Sequence, residues 1–236
     1  MIIGDPQLWK DRFITIDERL LTRILHLWAA CLAPLPQQPD EDSITINLVH
    51  LLGKDPVVRS ICHWVEYQYE PFGVHPNGAR FSKGIIDLAV LLDWERETYL
   101  PYECKRLNVV HSGSRNSLAT PYIGEGLIRF VTEQYAEGLP LGFMLGYVID
   151  GDLPFALRQI HAAIDAQKVS LLLTDGPNPG AVVQGIERFA TSHQRASKSQ
   201  IEVRHVLLPF PTVPSGVSMP PAVSGRSEAN NLGRVG

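Results

Sequence analysis

The segment from residue 84 to residue 110 constrains this chain more than any other. It contains a short apolar run, GIIDLAVLL (84–92), a polar turn, DWERE (93–97), and a second strand-length run, TYLPYECKRLNVV (98–110). Apolar runs of this length bounded by polar turns read as buried strands, and two of them joined by a short loop predict an antiparallel hairpin. Side chains alternate across a strand, so Glu103 and Lys105 project to one face and Cys104 to the other. With the hairpin turning through DWERE, Asp87 on the partner strand comes beside them. Two carboxylates and an ammonium group then converge in an apolar frame. That is costly unless the charges are compensated.

Helical spacing dominates the first third of the chain. Leu20, Leu21, Ile24, Leu25, Leu27 and Trp28 predict a helix capped near Thr15 or Asp17 and ended by Pro34 and Pro36. A second helix is expected from Asp42 or Ser43 to Gly53, and a third from about Pro56 to Tyr67, with Val57, Ile61, Trp64 and Val65 on one side. The alternating VEYQYEPF competes as a strand, and the Gly-, Pro- and Asn-rich stretch after it reads as a loop or hairpin.

Beyond the central hairpin, HSGSRNSLATP reads as a loop and TPYIGEGLIRFVTEQYAEG as a helix stopped by Gly138. LPLGFMLGYVID is a buried strand, and DLPFALRQIHAAIDAQ a helix with Pro154 in its first turn. VSLLLT and IEVRHVLLPF are further strand candidates. From Pro211 onward, 12 of 26 residues are Pro, Ser or Gly and none is aromatic, the composition of a disordered tail. The expectation is an α/β domain over residues 1–210, with a central mixed sheet flanked by helices, and a tail over 211–236.

Of the 236 residues, 44% are hydrophobic and 19% charged, ordinary for a globular chain and against a wholly disordered or fibrous one. No apolar stretch approaches the roughly 20 residues that cross a bilayer, and the N-terminus lacks the basic-then-apolar pattern of a secretory signal. Cys31, Cys62 and Cys104 are few and scattered, which argues against a disulfide framework and for a reducing cytoplasmic setting. A net charge of −4 means that any polyanion must be held by a local basic patch or a bound cation. The histidines show no HxH or HxxxH spacing, so a histidine-based metal site is not expected.

A divalent cation, Mg²⁺ or Mn²⁺, would compensate Asp87 and Glu103. Such ions prefer oxygen ligands, often take only one or two carboxylates and leave positions for water and phosphate. The chemistry that follows is phosphodiester hydrolysis, in which the ion activates a water and Lys105 orients it or stabilises developing charge. In these residues, GIIDLAV followed by YECK, then a helix and the strand LGFMLGYVI, the chain resembles the PD-(D/E)xK nuclease superfamily over roughly residues 65–150. The resemblance implies a restriction-endonuclease-like fold, with an antiparallel meander followed by a helix and a strand.

The resemblance also implies a metal-dependent nuclease, acting on DNA first of all, with Asp87, Glu103 and Lys105 as its catalytic set. Members often add an acid from a preceding helix. Glu18, Glu41, Asp42, Glu66 and Glu70 are all available here, and Glu70 or Asp42 is preferred. The polar QxxxY pattern that some families carry on the following helix is absent; Arg129 or Glu125 stands in its place. Arg106, Arg115, Arg129, Arg195 and Lys198 are candidate phosphate contacts, the last two within a segment, Arg188 to His205, that carries four basic residues against Glu202. No sequence-reading module is recognisable, so specificity would come from a homodimer, from DNA structure or from a sensor or motor partner, as in a bacterial defence system against phage or plasmids. Two alternatives remain: a non-catalytic nucleic-acid-binding or scaffolding subunit, and a phosphohydrolase acting on nucleotides.

Overall fold

The computed structural model describes residues 6–211. The expected tail over 211–236 therefore lies, but for its first residue, outside the described residues. The centre of the fold is a seven-stranded mixed sheet in the order β1-β4-β5-β8-β11-β10-β9. Its strands are β1 (Trp64–Tyr69), β4 (Ile86–Leu91), β5 (Tyr99–Leu107), β8 (Leu141–Val148), β9 (Leu173–Pro179), β10 (Glu187–Gln194) and β11 (Gln200–Pro209). β5, β8 and β11 run parallel in the middle, where every residue of β8 is buried. Antiparallel pairs close both sides, β1-β4-β5 on one and β11-β10-β9 on the other. Two small hairpins lie outside this sheet: β2 (Phe72–Val74) with β3 (Arg80–Ser82), and β6 (Val109–His111) with β7 (Ser114–Asn116).

One face of the sheet is covered by α1 (Pro6–Leu32) and α2 (Glu41–Lys54). Phe13, Leu20, Ile24 and Cys31 of α1 are buried, Trp28 stacks on Tyr147 of β8, and its indole N–H donates to Pro209 O at 2.8 Å. The other face carries α5 (Leu153–Gln167) and a helical segment over 119–131, built from α3 (Ala119–Pro121), a π-helical stretch (Tyr122–Leu127) and α4 (Ile128–Val131). α5 has Pro154 in its first turn, as its sequence suggested, behind an Asp152 N-cap that accepts from Phe155 N.

The structure corrects several sequence expectations. No third helix runs from Pro56 to Tyr67. The Asp55 carboxylate, paired with Arg23 at 2.6 Å, accepts from Val57 N and Val58 N and closes one 3₁₀ turn (Val58–Ser60). The aromatic and β-branched residues that follow then pair with β4, and ladder and burial outweigh helical spacing. The helix after YECK stops at Val131, seven residues before Gly138, because Glu133, Ala136 and Gly138 all take positive φ in the loop that follows. VSLLLT supplies only the start of β9, and β10 was not expected at all. Its inward positions include Thr191 and His193, so its alternation carries no hydrophobic signal.

Candidate active site

β5 runs past the end of its neighbour. Its pairing with β4 goes from Leu91↔Tyr99 to Leu88↔Tyr102, while its pairing with β8 continues to Leu107↔Val148. Alternate backbone N–H groups beyond Tyr102 thus face a gap, and two acids fill it. Asp87 Oδ2 accepts from Cys104 N at 2.8 Å, and Glu41 Oε2 accepts from Arg106 N at 2.9 Å. Asp40 caps α2 through Ser43 N at 2.6 Å, which fixes Glu41 in the first helical turn, where the helix dipole favours a carboxylate.

Glu103 and Lys105 lie on the opposite side of β5 from Cys104, beneath the π-helical stretch. A Cβ at Gly126 would sit 3.4 Å from Glu103 Cγ, 3.6 Å from Lys105 Cγ and only 2.7 Å from Met144 Cε. A side chain at Gly126 would therefore displace the end of Met144 and pack directly on Glu103 and Lys105. Cys104 is fully buried on the far side beside Tyr147 and Thr45, where desolvation holds its thiol well above the ordinary range. A thiolate nucleophile is therefore not offered here.

Lys105 Nζ is the hub of the cluster. It donates to Glu41 Oε1 at 2.9 Å and to Cys104 O at 2.9 Å, and it lies 3.0 Å from Glu103 Oε1 and 3.8 Å from Asp87 Oδ2. Arg129 Nη1 donates to Glu103 Oε1 at 3.1 Å and to the Tyr135 hydroxyl oxygen at 2.6 Å; that hydroxyl donates in turn to Ile85 O. Side-chain exposure rises from 0% at Glu103 through 14% at Lys105 and 21% at Asp87 to 28% at Glu41. The cluster is therefore closed at Glu103 and opens between Asp87 and Glu41.

Its electrostatics follow from that gradient. Desolvation, with Asp87 adding repulsion, pushes the Glu103 carboxyl up to about 7, and desolvation also raises Asp87. Burial opposes the Lys105 ammonium, but Glu103, Asp87 and Glu41 outweigh it and the net shift is upward; Arg129 behaves alike, with Glu103 and Tyr135 prevailing over burial. Three carboxylates face two cations. With all of them ionised one negative charge is left over, and the all-oxygen donor set suits a hard cation such as Mg²⁺ or Mn²⁺. Among the described residues, though, no group of three or more His, Cys, Asp and Glu side chains is drawn together as a ready metal site. The acids point at Lys105 instead.

The structure thus brings Asp87, Glu103, Lys105 and Arg129 together and adds Glu41. It does not place Glu70 with them. Glu70 is exposed beyond β1 and lines a cleft of about 460 Å³ with Arg80, Lys83 and Arg96. The other acids are engaged elsewhere: Asp42 with the Tyr67 hydroxyl, Glu66 with Arg96, and Glu18 with Arg188 and Arg204. Glu125 is exposed on the π-helical stretch. Tyr135, which the missing QxxxY pattern left without a role, anchors Arg129.

The basic residues divide in the same way. Arg106 beside the cluster donates from its guanidinium to Pro39 O at 3.1 Å. Arg115 is committed to Asp150 at 2.8 Å and Asp152 at 3.0 Å. Arg195 is 2% exposed and donates to Phe130 O and Leu139 O, so it is a core residue and not a phosphate contact. Lys198 is exposed in the β10–β11 turn, before the start of β11, whereas Lys105 is level with Gly146 and Leu207 at the other end of the parallel strands.

Comparison of the chain with protein-family models, with curated proteins and with solved structures gave no match. Among the described residues no helix is long and apolar enough to cross a membrane.

Proposed function

We propose that this chain is a metal-dependent nuclease with a restriction-endonuclease-like core, hydrolysing phosphodiester bonds of nucleic acid, DNA first. The observation that carries the reading is the convergence of Asp87, Glu103 and Lys105, from two adjacent strands, with Glu41 from the first turn of the preceding helix. The element order agrees with it: α2, the meander β1-β4-β5, the helical segment 119–131, then β8 parallel to β5. The expected helix-borne acid is thereby assigned to Glu41, in place of Glu70 or Asp42.

Asp87 and Glu103 would hold Mg²⁺ or Mn²⁺, with Glu41 and the Cys104 carbonyl at the edge of the same oxygen cage. The ion would supply an activated water and neutralise the phosphate. Lys105, held as an ammonium by its three carboxylates, contributes positive charge at the scissile group and is not a proton acceptor at neutral pH. Arg129, fixed by Tyr135, keeps Glu103 oriented at the closed end of the cluster, and the Arg106 guanidinium is held by Pro39 O just before α2. A second reading has its own observation in the closure of all three acids on Lys105, which a purely structural ion-pair hub in a nucleic-acid-binding subunit would also show.

The test is cleavage of supercoiled plasmid, single-stranded DNA and RNA in Mg²⁺ and in Mn²⁺ by the wild type, Asp87→Asn and Glu103→Gln. The nuclease reading expects each variant to lose about 100-fold or more while keeping a cooperative melting transition. Absence of cleavage by the wild type in both metals, with nucleic-acid binding retained, selects the second reading.

A further inference from the structure

We propose that Lys105 is the resident counter-ion of this site, and that a divalent cation enters it only by exchange with the lysine ammonium group. The proposal rests on the nuclease reading above and concerns how that site is regulated. Nζ is surrounded by four oxygens, Glu41 Oε1, Glu103 Oε1, Asp87 Oδ2 and Cys104 O, at 2.9, 3.0, 3.8 and 2.9 Å. That is the position in which a hard cation would find its donors, and two cations at such separations from one another would repel strongly at the low effective dielectric of a part-buried site. The absence of a ready acid cluster among the described residues has the same origin, since each carboxylate directs an oxygen at the ammonium.

The side chain is built to move out. Its Cγ lies below the Gly126 turn, and the head group sits between Glu41 and Asp87, the two more exposed acids of the cluster. A compact ammonium on a flexible stem can leave where a forked guanidinium could not. Arg129 stays behind, tied to Tyr135 and through it to Ile85 O, and keeps Glu103 in place during the exchange. Lys105 and Arg129 thus offset all but one of the cluster's negative charges without metal, and Lys105 reaches the substrate side only when the ion has taken its place.

Calorimetric titration of Mn²⁺ into the wild type, Lys105→Met and Lys105→Gln tests this without relying on cleavage. The expected result is an affinity about tenfold or more higher in both variants, and a larger rise in melting temperature with saturating Mn²⁺ than in the wild type. Should both variants fail to fold, the wild type still decides: reductive methylation of Lys105, read by peptide mass spectrometry, should speed up when Mn²⁺ is added. Equal or weaker Mn²⁺ affinity in the variants, or Lys105 labelling unchanged or slowed by Mn²⁺, overturns the exchange while leaving the nuclease reading intact. No Mn²⁺ or Mg²⁺ binding to any of the proteins overturns both.

Discussion

Two polar clusters share the face of the sheet covered by α5 and the 119–131 segment, and they are built on opposite terms. Around Lys105, five charged groups are crowded together with one negative charge in excess and an opening to solvent. Farther along, Leu171 O, His193, Thr191, His205 and Tyr122 form a wholly buried chain of contacts at 2.8, 2.7, 3.1 and 3.0 Å. The carbonyl at its start can only accept, so His193 Nδ1 donates to it, and the directions of all the other bonds follow. Thr191 donates to His193 Nε2, His205 Nε2 donates to Thr191, and Tyr122 donates to His205 Nδ1. Both imidazoles are neutral, and burial lowers the pKa of each. The lesson is that polarity inside a fold does not mark chemistry; incomplete compensation does. The histidine chain has nothing left over to bind, whereas the lysine cluster does.

The largest expected effect strikes the satisfied chain. Thr191→Val leaves an unpaired acceptor on His193 and an unpaired donor on His205, both fully buried, and should cost about 2–4 kcal/mol in urea denaturation. Glu103→Gln should cost much less, because the remaining acids, Asp87 and Glu41, then balance Lys105 and Arg129. A Thr191→Val protein as stable as the wild type would break the contrast.

Next in size is the pH dependence, in which the two clusters pull in opposite directions. Glu103 carries a raised pKa of about 7 when folded, so its proton is bound more tightly in the native state, and the stability it contributes below about pH 4.5 is lost as pH rises through 7. His193 and His205 have lowered values, so their contribution is lost as pH falls below about 6.5, where the unfolded chain gains protons. Between pH 7 and 5 the two clusters therefore offset one another in the wild type. Glu103→Gln lacks the Glu103 contribution, so over the same range its stability should change less favourably than the wild type's by about 1–3 kcal/mol. Identical pH profiles for the two proteins would sink this account.

The smallest effect sharpens the same comparison. Tyr135→Phe removes the link between Arg129 and the Ile85 carbonyl, and should cost about 1 kcal/mol of stability. Mn²⁺ affinity, measured by calorimetry, should drop several-fold, since Glu103 loses its fixed neighbour but keeps its place on β5. A loss as large as that from Asp87→Asn would make Tyr135 more than a support.

The parts of the site that were legible in the sequence are those set by strand geometry alone. The order Asp87, turn, Glu103-Cys104-Lys105 fixes facing and neighbourhood whatever else the chain does. The helix-borne acid was not legible, because choosing among five acids depends on where one helix begins. α2 starts at Glu41 behind the Asp40 cap, not at Asp42 or Ser43, and one residue of shift turns a side chain by about 100°. The Arg188–His205 segment misled for a different reason. Its charge excess read as candidate phosphate contacts, yet Arg188 and Arg204 pair with Glu18, and Arg195 bonds to core carbonyls. Sequence composition counts charges but does not say which of them face water.

The overhang of β5 has a consequence for how such a chain would age. The carboxylates of Asp87 and Glu41 also serve as hydrogen-bond acceptors for a strand that has outlived its partner, so a lineage that abandoned the chemistry would still need them to keep its sheet edge intact. On the nuclease reading, loss of activity would be expected to register first at Arg129, whose side chain mends no gap in the ladder, whereas Lys105 also serves the Cys104 carbonyl. That position, rather than the acids, is where a retired descendant would betray itself.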